Sequence, residues 1–120
     1  MINKVLVVDD SSVLLQNLTE IVSNAGYQVS TANSGEKAIE VAQQQSPDLI
    51  FLDIVMPDMD GYEACRELQN NEDTKDIPIV FVTSKNQKAD KAWALMQGGK
   101  GYITKPYTSE QILDQIEALN

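Results

Sequence analysis

Val5-Leu6-Val7-Val8-Asp9-Asp10-Ser11 sets four apolar residues directly before two acids, and the pattern returns at Leu49-Ile50-Phe51-Leu52-Asp53. An apolar run without alternation, four to six residues long, marks a strand buried on both faces, as in a parallel sheet covered by helices. A third run, Ile79-Val80-Phe81-Val82, ends at Thr83, and a shorter mixed one, Tyr102-Ile103-Thr104, ends at Lys105. Buried strands are therefore expected at about 4–9, 48–53 and 78–83. Gln28-Val29-Ser30-Thr31-Ala32 alternates and the segment from Gly101 to Thr104 is short, so both belong at sheet edges.

Helical periodicity fills every gap. Leu14, Leu18, Ile21, Val22 and Ala25 form a stripe that Gly26 ends. A second helix is expected over about 35–45 with Ala38, Ile39 and Ala42 inward, and Pro47 lies just past it. Asp60-Gly61-Tyr62-Glu63 opens a third with an acidic cap, and Cys65 lies on its apolar stripe with Ala64 and Leu68. Ala89, Ala92, Trp93 and Met96 are read as the inward line of a fourth helix. Thr108-Ser109-Glu110-Gln111 starts a fifth with the stripe Ile112, Leu113, Ile116 and Leu119. Strands alternating with helices pair in parallel through right-handed crossovers. With the second and fifth strands at the edges, the chain reads as one α/β domain over residues 1–120. Its expected core is a five-stranded parallel sheet of order 2-1-3-4-5 with five helices on both faces.

Composition narrows the chemistry. Histidine is absent, which removes Ser-His-Asp and Cys-His catalysis and the usual zinc sites. One cysteine, Cys65, allows no internal disulfide and fits a reducing cytoplasm. Nothing reads as a secretory signal or membrane span, so membrane insertion is not expected. A net charge of −9 argues against direct contact with nucleic acid, whose phosphates require Lys and Arg. Residues 85–105 depart from this, with five lysines against Asp90, locally +4 and leaving −13 for the rest.

Ligands of an open parallel sheet bind outside the carboxyl ends of its strands, where the winding reverses. Order 2-1-3-4-5 makes the first and third strands neighbours there, so Asp9, Asp10 and Asp53 are expected to meet in one crevice. Two unit charges at 4 Å repel by about 4 kcal/mol at an effective dielectric of 20, so a cation belongs among them. Mg²⁺ suits the set because it takes one or two carboxylates, keeps several waters and accepts phosphate oxygens. Asp10 and Asp53 are assigned as direct ligands and Asp9 as acting largely through water, with the Val55 carbonyl in reach from the Met56-Pro57 turn. Lys105 supplies a cation with no acid near it in sequence, and Pro106 permits a cis bond that turns the ammonium over the crevice. Thr83 offers a hydroxyl to a phosphoryl oxygen. A carboxylate nucleophile, a metal and a lysine around one point fit acyl-phosphate formation on Asp53.

These residues carry a family resemblance. Val7-Val8-Asp9-Asp10-Ser11, Leu52 through Gly61, Val82-Thr83-Ser84 and Ile103-Thr104-Lys105-Pro106 together resemble the receiver domain of bacterial two-component response regulators, a flavodoxin-like fold. The resemblance runs the length of the chain. It implies that Asp53 accepts phosphate from the phosphohistidine of a sensor histidine kinase, with Mg²⁺ required. It also implies that Thr83 and Tyr102 couple the phosphate to a face made by the fourth helix, fifth strand and fifth helix. Asp90 through Gly98 and Thr83-Ser84-Lys85 are most similar to receivers of the chemotaxis-like system that controls type IV pilus twitching motility. With no effector domain attached, output is expected through contact with a downstream motility or signalling protein. Activation and service as a phosphate sink for a sister regulator, or as a receiver in another chemotaxis or phosphorelay pathway, remain open. Gly99 and Gly101 depart from the residues common there and are expected to loosen the loop before Tyr102.

Plainer roles compete at several positions. Asp10 also suits a cap of the first helix, and Ser84 with Gln87 a capping box for the fourth. An aspartate-nucleophile phosphatase would place a second acid two residues past Asp53, where Val55 stands. A flavin carrier would have a Ser/Thr/Gly-rich loop in place of Asp9-Asp10-Ser11-Ser12, and a degenerate interaction module would lack part of the acid, hydroxyl and lysine set. The reading is a phosphorylation-operated switch, self-phosphorylating and self-dephosphorylating, and not a turnover enzyme.

Overall fold

The apolar runs become β1 (Lys4–Val8), β3 (Leu49–Leu52) and β4 (Ile79–Thr83) of a computed structural model that describes residues 1–120. With β2 (Gln28–Ala32) and β5 (Gly101–Thr104) at the edges, they pair in parallel in the order β2-β1-β3-β4-β5. Every residue of β3 and β4 is buried, which is why neither run alternates.

Five helices cover both faces: α1 (Ser12–Asn24), α2 (Gly35–Gln45), α3 (Gly61–Gln69), α4 (Lys88–Met96) and α5 (Ser109–Leu119). Successive strand residues point to opposite faces and so supply two cores. Val5, Val7, Leu49, Phe51, Val80 and Val82 pack with Leu18 and Val22 of α1 and Ile112 and Ile116 of α5. Leu6, Val8, Ile50, Leu52 and Phe81 pack with α2, α3 and α4 through Ala38, Ala42, Ala64, Cys65, Leu68 and Ala94. Burial pushes the Cys65 thiol up to about 11, the behaviour of a small core hydrophobe.

The helix ends follow local chemistry. Asp60 Oδ1 accepts from the Glu63 amide at 2.9 Å, and Thr108 with Gln111 forms a capping box on α5. Gly26, just beyond α1, has φ +99°, a conformation glycine adopts without steric cost. Neither competing cap role is taken up. Ser11, not Asp10, caps α1 by accepting from the Leu14 amide, which leaves Asp10 free to face the crevice. At α4 the Gln87 amide donates to Asp90 Oδ2, so the box begins at Gln87 and Ser84 is exposed outside it.

The phase of α4 also differs from expectation. Ala89, Ala92, Trp93 and Met96 are exposed, and Ala94 faces the core instead. Ala25 is exposed as the C-cap of α1. The loop before β5 is held rather than loosened: the Gly98, Gly99 and Lys100 amides bond to Leu95, Ala94 and Ile79 carbonyls. A Cβ on Gly99 would lie 2.8 Å from the Phe81 ring, so that position packs tightly because it lacks a side chain.

Candidate functional site

The register of the sheet assembles the site. Val8 lies opposite Leu52, so the next residues, Asp9 and Asp53, leave adjacent strands at the same level. The Asp53 amide donates to the Val8 carbonyl at 3.1 Å, and that of Asp9 to Ala32 at 3.2 Å. Leu52 lies opposite Phe81, so β4 runs on two residues and ends at Thr83, paired with Thr104. The Lys105 amide then donates to the Thr83 carbonyl at 2.8 Å, and the Lys105–Pro106 peptide is cis.

From there the Lys105 ammonium reaches Asp9 Oδ2 at 2.7 Å and Asp53 Oδ2 at 2.9 Å. The other Asp53 oxygen, Oδ1, accepts from the Ile54 and Val55 amides at 2.7 and 3.3 Å. Asp9 Oδ1 accepts from the Ser11 amide at 2.9 Å. Asp9 and Asp53 are buried and Asp10 is exposed, yet one oxygen from each of the three lies within 4.8 Å of the others.

Burial raises the Asp53 carboxyl above its ordinary range, and Asp9 adds to the rise; Lys105 and the Val55 amide oppose it. The upward direction prevails because one ammonium is shared between two acids. At Lys105, burial lowers the ammonium, but hydrogen bonds to Asp9 and Asp53 outweigh it and the net shift is upward. Three carboxylates against one ammonium leave the crevice short of positive charge. That donor set, hard oxygens with one exposed acid at the mouth, suits a divalent cation of the Mg²⁺ kind. Both oxygens of Asp9 and both of Asp53 are already engaged, which leaves Asp10 as the freest ligand at the mouth.

Thr83 is fully buried, and its Oγ1 accepts from the Lys85 amide at 3.4 Å. Tyr102 turns its hydroxyl to the same loop and donates to the Lys85 carbonyl at 2.7 Å. Burial pushes its phenol up to about 12. Val55 is 53% exposed and lines a cavity of about 290 Å³ with Ile54, Met56, Asp60, Tyr62 and Lys85. The structure thus brings Asp9, Asp10, Asp53 and Lys105 together, with Thr83 and Tyr102 on the adjoining loop. Sequence reasoning missed Tyr62, which reaches α4 by donating to the Asp90 carbonyl. An aromatic on the first turn of a helix beside the crevice was the available signal.

Sheet order, crevice and acid set are those of a receiver domain. Residues 5–117 match the response regulator receiver domain family, and the chain belongs to it. It is the receiver of a two-component response regulator. It is 39% identical over 116 residues to protein PilH of Pseudomonas aeruginosa, covering 97% of this chain and 96% of that one. Protein PilG of the same organism is 36% identical over 115 residues, covering 96% of this chain and 85% of PilG. The fold matches the chemotaxis protein CheY4 of Vibrio cholerae with a TM-score of 0.93 and 31% identity over 100% of both chains. The chain spans about half the length of several other curated relatives, among them the PhoP regulator of Bacillus subtilis at 48%. No helix is long and apolar enough to cross a membrane.

Proposed function

We propose that residues 1–120 act as one phosphorylation-operated switch that takes a phosphoryl group from a sensor histidine kinase onto Asp53. The observation that carries this reading is the Lys105 ammonium bridging Asp9 and Asp53 beside the exposed Asp10. Asp10 and Asp53, with the Val55 carbonyl, would hold Mg²⁺, and Asp9 would reach it through water. Bound there, the ion supplies positive charge to the carboxylates and to the phosphoryl oxygens. An Asp53 oxygen forms the new bond to phosphorus as the phosphorus–nitrogen bond of the donor histidine breaks, and the electron pair returns to the imidazole. Lys105 moves its hydrogen bond from Asp53 to a phosphoryl oxygen. Positioning and charge neutralisation supply most of the rate.

Thr83 donates its hydroxyl to another phosphoryl oxygen, releasing the Lys85 amide that it now accepts from. Tyr102 holds the carbonyl of the same Lys85, so one loop joins phosphate to phenol. The face made by α4, β5 and α5 then changes its affinity for a downstream protein, by a population shift of a few kcal/mol. Likeness to PilH and PilG supports placing this in chemotaxis-like control of type IV pilus twitching motility. Incubation with Mg²⁺ and acetyl phosphate, followed by intact mass, tests the chemistry. One phosphoryl group on the parent, absent from Asp53→Ala and from the parent in EDTA, is expected. An unmodified parent, or an equally modified Asp53→Ala, refutes it.

A further inference from the structure

The sheet has an open edge at β2, whose only neighbour is β1. The Gln28 amide donates to the Asn3 carbonyl at 2.9 Å, and the Ala32 carbonyl accepts from the Asp9 amide at 3.2 Å. Backbone groups alternate sides along a strand, so positions 28, 30 and 32 face β1 while Val29 and Thr31 present N–H and C=O outward. Thr31 is exposed, and Val29 and Ser30 are half-buried. Natural edge strands are guarded by charge, proline or a bulge. Gln28-Val29-Ser30-Thr31-Ala32 has no charge and no proline, and it pairs with β1 in unbroken register. The opposite edge, β5, lies between Lys100 and Lys105.

The surroundings of β2 are nearly as neutral as the strand. From Ile21 to Gly35 no residue is charged, nor is any from Val41 to Pro47. On α1, Leu15 lines a groove with Thr31, and its stripe of Ser12, Leu15, Thr19 and Ser23 carries no charge. The charges that border the edge are Lys4, held at 3.5 Å from the Gln45 carbonyl, and Lys37, bridged to Glu40 at 3.4 Å.

We infer that β2 pairs with β2 of a second copy of this chain, antiparallel about a two-fold axis at Ser30. In that register Val29 of one copy lies opposite Thr31 of the other, and their outward groups exchange hydrogen bonds. Ser30 then faces its own counterpart in a pair without hydrogen bonds, Cα to Cα about 4.5 Å. Charge selects this occupant. Two chains of net charge −9 repel unless they meet where charge is sparse, and this edge is such a place. An extended segment of another protein would need pockets for its alternate side chains. The hollows beside β2 do not supply them: one is only about 70 Å³, and the other, about 230 Å³, is lined by Thr31, Asn33 and Lys37 beside Leu15 and Ala32. The pairing joins two sheets into one and leaves the α4–β5–α5 faces at its two far ends, because β5 lies at the opposite edge. It goes beyond the phosphoryl reading and requires none of that chemistry.

Sedimentation of the parent without phosphodonor is expected to show a monomer–dimer equilibrium. It should tighten as salt rises, because screening removes the repulsion between two acidic chains. Thr31→Pro removes an outward N–H, twice over by symmetry, and should weaken the dimer about tenfold or more. The ladder to β1 does not use that group, and melting curves verify that the variant folds. Thr31→Glu, which adds a carboxylate on each side of the contact, tests the same point without altering the backbone. Cys65 is buried, so Ser30→Cys carries one accessible thiol and should form a disulfide-linked dimer with diamide. Glu67→Cys, exposed on α3, should lag far behind. A parent that stays monomeric at millimolar concentration, a dimer that both Thr31 variants leave intact, or one that weakens with salt would each overturn the assignment. So would a monomeric parent that takes up an extended peptide of alternating valine and glutamate at this edge. Asp53 phosphorylation is read separately by mass, so failure here leaves that chemistry standing.

Discussion

The Lys105 ammonium donates to Asp53 Oδ2 at 2.9 Å, across 52 positions of sequence. It also holds Asp9, so one cation keeps two buried acids from facing each other unpaired. Lys105→Met retains much of the stem and removes the charge. In Mg²⁺-free buffer it should lower stability by about 2–3 kcal/mol, the cost of leaving buried carboxylates without their partner. Without the competing ammonium the acids should bind Mg²⁺ about threefold more tightly, or better. The added ion should then recover part of the lost stability by mass action. Urea unfolding with and without Mg²⁺ measures both effects, and unchanged stability without the ion would contradict the role given to the pair.

Gly61 begins α3 directly beneath the crevice, with its amide donating to the Ile54 carbonyl at 2.8 Å. A Cβ there would lie 2.1 Å from the Asp53 carbonyl oxygen and 2.7 Å from Ile54 Cα. Those are backbone atoms of the turn that carries Asp53, so no rotamer change relieves the overlap. Gly61→Ala should cost about 3 kcal/mol and displace the turn. Phosphorylation by acetyl phosphate should slow in step, measured by intact mass on the folded fraction.

What the sequence disclosed and what it hid divide along physical lines. The β1, β3 and β4 runs were legible because residues buried on both faces leave no alternative phase. Each ends at a polar residue, and parallel register brings those ends to one rim. Asp9, Asp10 and Asp53 gather as the sequence reading expects. Helix α4 was not legible. Ala89, Ala92, Ala94, Leu95 and Met96 spread apolar character around it, and periodicity cannot choose the buried side. The choice falls to Ala94 because Tyr62, Cys65 and Gln69 of α3 hold its own flank of the helix through Asp90, Gln97 and Gly98. Caps were ambiguous for a similar reason, since Asp10 and Ser11 are both good capping residues and tertiary demands on Asp10 left the task to Ser11.

Asp48 ties the start of the sheet together, its Oδ2 accepting from the Lys4 and Asn3 amides at 2.9 Å each. The Lys4 amide, then that of Asn3, holds its carboxyl below the usual range. A lowered folded-state value means stability that is present above the unfolded pKa, about 3.9, and lost as pH falls through the folded one. Asp48→Ala should therefore cost about 1 kcal/mol at neutral pH, a figure kept small by solvent screening. The difference between parent and variant should shrink below about pH 4 and vanish once both states are protonated. Denaturant midpoints across the acid range decide it, and a gap that widens on acidification has the wrong sign.

We expect Val55 to lengthen the lifetime of a phosphoryl group carried on Asp53. Hydrolysis of an aspartyl phosphate needs a water aimed at phosphorus, and a polar side chain at the mouth can hold one there. Val55 stands at that mouth, 53% exposed, and its side chain offers no hydrogen bond. Lys85 lines the same cavity and is expected to shield the group rather than activate water. Val55→Asn adds an amide oxygen and two N–H donors at nearly constant volume. It should speed loss of phosphate about tenfold, a modest share of what a well-placed polar group contributes to proton transfer. Fold and loading should be unaffected, since the side chain at 55 packs against little. After removal of donor, acid-labile phosphate is followed by mass in both proteins. Equal or faster decay in the parent would show that Val55 does not set the lifetime.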